Sequence, residues 1–106
     1  FLPDTVSTDL QRGHLGSHPT HTLPLVASKM MSVGMPLADI FRAITSGPAA
    51  ILQYQQAAAF EAGQSADCLV VAISNEEQIV TDCSGNQRWS QVIKPEIVFR
   101  KGQRIL

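Results

Sequence analysis

With 106 residues and a formal net charge of −1, the chain fits one small domain and lacks the basic excess that nucleic-acid binding needs. Apolar residues make up 44% of it, too many for a disordered chain. Charged residues make up only 16%, which fits either a partly covered surface or a weakly charged small soluble domain. One Tyr and one Trp give no stacking platform for single strands, and no apolar run reaches the roughly 18 residues of a membrane span.

The chain opens on Phe1-Leu2-Pro3, and no basic start precedes an apolar stretch of signal-peptide type. It reads as a chain that begins inside a larger fold, or as a product of processing. Residues 5–8 (TVST) are rich in β-branched side chains and predict a strand. Residues 10–23 hold Gly13, Gly16, Pro19 and all three histidines without an apolar period, and predict a loop. Thr22 is placed to cap a helix with Pro24 in its first turn, running through Lys29 and Met31 to a stop near Gly34. Pro36 opens a second helix, whose Leu37, Ile40, Phe41 and Ile44 lie on one face. Ser46-Gly47 is expected to end it, and Pro48 to start a short third helix through Leu52.

After Gln53 the character changes. Residues 57–63 form a connector, and residues 68–73 (CLVVAI) predict a buried strand. Residues 78–81 predict another, and Ser84-Gly85-Asn86 is a turn signal. Residues 97–100 and 104–106 flank Lys101-Gly102-Gln103 as a hairpin. A leading strand without an obvious neighbour, a loop, helices and then strands do not make a familiar closed domain, which again points to part of a larger fold. Cys68 and Cys83 form no CxxC pair and are expected as reduced thiols of a cytoplasmic protein.

Asp9 stands where the first expected strand becomes a loop. In barrels of alternating strands and helices the C-terminal strand ends carry the active site, and a carboxylate there is a hard ligand for a divalent metal and a base for its bound water. An Asp at a strand end also serves as an ordinary turn or cap residue. His14, His18 and His21 are spaced HxxxH and HxxH. Such spacings bind zinc on one face of a helix, but the Gly and Pro around them deny a helix here. They are expected either to line a substrate pocket beyond Asp9 or to be exposed loop residues, with a histidine-loop metal site as a third reading. Lys29, among apolar neighbours, is expected to extend its ammonium to solvent. Ser7, Ser17 and Ser28 lack a GxSxG context, and there is no Gly-rich phosphate loop.

Several segments taken together resemble the amidohydrolase superfamily, closest to its dihydroorotase-like amidohydrolase/deacetylase branch. Pro3-Asp4-Thr5-Val6-Ser7-Thr8-Asp9 resembles the "PDT-[IV]-STD" segment of the last barrel strand. It is followed in order by Leu23-Pro24, Ser28-Lys29-Met30, Gly34-Met35-Pro36-Leu37, Ala43-Ile44-Thr45 and Pro48-Ala49. Glu61-Ala62-Gly63-Gln64-Ser65-Ala66-Asp67, with Leu69-Val70-Val71, resembles the "l-G--ADlvv" signature, and Arg100-Lys101-Gly102-Gln103 the closing hairpin. The chain departs from the family at Ala57, Ala58 and Ala59, near which the family often carries a Gly, and residues 13–21 do not align.

The resemblance implies an α+β piece. Residues 1–56 would be the end of a metal-dependent hydrolase barrel of (β/α)8 TIM type, comprising its last strand, substrate loop and helices. Residues 57–106 would be the C-terminal strands of a small β-sandwich. Family members hold one or two divalent metals, usually zinc, through an HxH pair, often a carbamylated Lys, two further His and an Asp on the last strand. Asp9 matches that Asp, which binds metal, accepts a proton from the bound hydroxide and passes it to the leaving amine. The HxH pair has no counterpart here. The resemblance therefore implies that the parent hydrolyses an amide, N-acyl or N-acetyl, while the 106 residues alone bind no metal and are inactive. A cyclic amidase of dihydroorotase or hydantoinase type and a non-catalytic scaffold module are the alternatives. The implied partner is a small-molecule amide, with no nucleic acid and no membrane, and a homo-oligomer is compatible with it.

Overall fold

A computed structural model describes residues 1–16, 22–54, 58 and 60–106. Among them, helices come first and strands second, which makes a small α+β structure. Helix α1 spans Leu23–Ser32, α2 Leu37–Ile44 and α3 Ser46–Ile51. The strands are β1 Cys68–Ile73, β2 Gln78–Thr81, β3 Gln87–Ser90, β4 Ile93–Arg100 and β5 Gln103–Arg104.

Local chemistry sets the helix limits. Thr22 occupies the N-cap of α1 in an extended conformation and Pro24 lies in the first turn. The expected side-chain cap is not made. Thr22 contributes its carbonyl, which accepts from the Val26 N–H at 3.1 Å, while its hydroxyl makes no capping bond. At the other end, Gly34 turns left-handed with φ 91°, its N–H donates to Met31 O and the Met35 N–H donates to Met30 O. This crossed pair satisfies the last carbonyls of α1 and folds Met35 back into the core. Pro36 then caps α2, and the Ile40 N–H closes its first turn on Pro36 O at 3.0 Å.

The break between α2 and α3 falls at Thr45, one residue before the expected one. Ser46-Gly47 is not a terminator but the first turn of α3. An added Cβ at Gly47 would meet Asp4 O at 2.5 Å and Arg42 O at 2.9 Å, so only glycine lets these backbones approach. Pro48 lies in the same turn, where its missing N–H costs nothing.

The core forms where α1 and α2 meet β4. Ala27, Met35, Ile40, Ala43 and Ile93 are buried together, with Val6, Met30, Met31, Ile44, Val71 and Ile73 packed around them. Burial of this apolar set is the main stabilising term, at roughly 25 cal/mol per Å² removed from water. A buried hydroxyl ties the two halves: Ser28 Oγ donates to Pro24 O at 2.7 Å and accepts the Ile93 N–H at 2.8 Å. Arg88 Nη1 adds a bond to Ser32 O at the end of α1.

Two antiparallel sheets result, one in the order β1-β4-β5 and one of β2 with β3. In the first, Val70 faces Ile97 but Val71 faces Pro95, so Glu96 is an extra residue and the ladder shifts there. Proline cannot donate to a ladder, which explains a bulge at this place. Lys101 and Gly102 both adopt positive φ, 49° and 76°, in the two-residue turn between β4 and β5. The strained Lys101 is held by its N–H, which donates to Asp67 Oδ1 at 2.7 Å.

Three strand expectations need correction. Residues 5–8 join no sheet. No strand lies alongside them among the described residues, and the Val6 N–H instead donates to Ala43 O at 2.9 Å, at the end of α2. The strand at residues 68–73 forms but is not fully buried, because β1 is the edge of its sheet and Leu69 and Val70 are exposed. Strand β3, which carries an exposed Trp89, was not expected, and β4 starts four residues earlier than the expected residue 97.

Candidate functional site

The segment before Asp9 is anchored to the helices at two points. Val6 is hydrogen-bonded to Ala43 O and packs against the core, and the Asp4 carbonyl lies over Gly47. Asp9 has φ 48°, a left-handed conformation that Asp tolerates better than most residues, and Thr8 Oγ1 accepts the Leu10 N–H at 3.0 Å across it. Asp9 is exposed.

Arg12–His14 form a single 3-10 turn, with the His14 N–H on Gln11 O at 2.8 Å, and His14 is half-buried. Asp9 and His14 therefore occupy one loop, five positions apart. His18 and His21 lie outside the described residues. Among the described residues no three His, Cys, Asp or Glu side chains come together as a metal site. The donor set present here offers the carboxylate of Asp9 and does not by itself make a metal centre.

A wide cavity of about 610 Å³ opens elsewhere, between α2, α3 and β1. Sequence reasoning gave it no role, because Tyr54 and Phe60 lie in stretches without a helical or strand period. Its walls are mostly apolar, including Phe41, Ile44, Tyr54, Phe60 and Leu69, and neither Asp9 nor His14 contributes to them. Two of its polar side chains are engaged: the Thr45 hydroxyl donates to Phe41 O, and Asp67 accepts from Lys101 N–H and the Ser65 hydroxyl.

The two perturbed carboxylates are structural. Asp67 titrates below its ordinary value, chiefly because the Lys101 N–H donates to it and then because the Ser65 hydroxyl does. Asp82 is lowered first by the Asn86 side-chain amide, then by the Asn86 backbone N–H, and it closes the β2–β3 turn. Cys68 and Cys83 are both free thiols. No helix among the described residues is long and apolar enough to cross a membrane.

No protein-family model matches the chain. Comparison with curated proteins finds deacetylases. The chain is 32% identical over 96 residues to one from Agrobacterium fabrum, covering 90% of this chain and 23% of that protein. It is 30% identical over 96 residues to one from Brucella anthropi, covering 90% of this chain and 24% of that protein. Among solved structures, a dihydroorotase superposes with a TM-score of 0.87 at 26% identity, over 99% of this chain and 28% of that one. An adenine deaminase superposes with a TM-score of 0.84 at 28% identity, over 95% and 28%. The chain thus spans about a quarter of the length of the relatives it matches. It is a stretch of amidohydrolase-superfamily type, related to these deacetylases and to dihydroorotase.

Proposed function

We propose that these residues work within a metal-dependent amidohydrolase that cleaves a C–N bond, with an N-acyl or N-acetyl amide as substrate. In this reading residues 1–56 are the end of its barrel and residues 57–106 part of its β-sandwich. The observation that carries it is the match of 90% of the chain to proteins named deacetylases. Zinc or another divalent metal is assigned to the whole enzyme. The described residues do not assemble a centre for it, so the role given to Asp9 is confined to its own carboxylate. An exposed carboxylate at the head of a loop, on a segment tied to the helix core, is suited to take up a proton and deliver it to the leaving amine. His14, with His18 and His21, is assigned to substrate binding. We place the protein in the cytoplasm, where Cys68 and Cys83 stay reduced.

A cyclic amide is the second reading, favoured by the superposition on dihydroorotase. Purified protein from the complete reading frame that encodes these residues, offered N-acetylated amino acids beside five- and six-membered ring amides, separates the two. Hydrolysis of the linear amides supports the first reading, and hydrolysis of ring amides alone replaces it with the second. Failure to cleave either class overturns the proposal.

A further inference from the structure

We draw no further inference here: the strongest candidate, the apolar cavity between α2, α3 and β1 with Tyr54, Phe60 and Leu69 at its walls, carries nothing because nothing in the structure shows what covers it.

Discussion

Gly47 and Asp67 fix local backbone geometry, and Asp9 is the residue to which we assign the proton transfer. In the proposed amidohydrolase, Asp9→Asn keeps size and polarity but removes the assigned proton acceptor. We expect kcat to fall roughly 10²–10⁴-fold, the usual contribution of a positioned acid–base group, with an unchanged circular dichroism spectrum. Activity within a factor of two of the unsubstituted enzyme would remove Asp9 from the reaction. Gly47→Ala drives a Cβ into two backbone carbonyls that cannot rotate away. Overpacking of this kind costs about 1–3 kcal/mol, readable as a lower midpoint in urea, whereas Gly13→Ala, with open space around it, is expected to leave the midpoint in place. Asp67 has a folded-state pKa below its unfolded one. Its contribution is present above the unfolded pKa and is lost as pH falls through the folded one. Urea midpoints taken from neutral pH downwards are expected to decline more gently below the ordinary aspartate range in Asp67→Asn than in the unsubstituted chain. Equal declines in both would show that its bonds to Lys101 and Ser65 add no pH-dependent stability. Asp9 was singled out from its place in a motif. Gly47 was not, because its need for hydrogen at Cα comes from Asp4 and Arg42, which only the folded chain brings to it.

The elements show where local sequence governs and where it yields. Helices α1 and α2 were readable because Pro24, Gly34 and Pro36 act within one turn of themselves, and of the expected α2 face Ile40 is buried and Phe41 and Ile44 half-buried, whereas Leu37 is exposed and the unexpected Ala43 is buried instead. Residues 5–8 have the composition of a strand and still form none, since a ladder needs a neighbour and Val6 finds only the end of a helix. Strand β3 escaped notice for the opposite reason: Gln87, Arg88 and Ser90 are poor strand formers alone, and pairing with β2 holds them extended. Between elements, Ser28 makes the most consequential polar contact. Ser28→Ala leaves the buried Ile93 N–H without its acceptor, and the expected loss is about 1–3 kcal/mol. That corresponds to a melting temperature lower by roughly 4–8 °C per kcal/mol in a domain of this size. A melting point within one degree of the original would mean that water replaces the hydroxyl.

At the scale of the molecule, the order of short motifs was enough to indicate the amidohydrolase relationship, although each motif alone is modest. The substrate was not legible, because the loop that would read it aligns with nothing in the family. The 106 residues alone are expected to show no metal-dependent turnover of amides. Zinc-dependent hydrolysis by this chain, abolished in Asp9→Asn, would sink the proposed dependence on ligands beyond it. The topology also dictates a timetable. Pairing β1 with β4 joins residues 68–73 to residues 93–99 across everything between, whereas β2 and β3 meet over the short turn closed by Asp82 and Asn86. Loop closure grows costlier with length, so the short hairpin forms first, on a scale of about 1–10 μs. Once formed, it brings Val92 beside Ser74, where the two residues exchange bonds. The long ladder then zips outwards from that end and reaches the Glu96 bulge before it reaches Cys68 and Phe99.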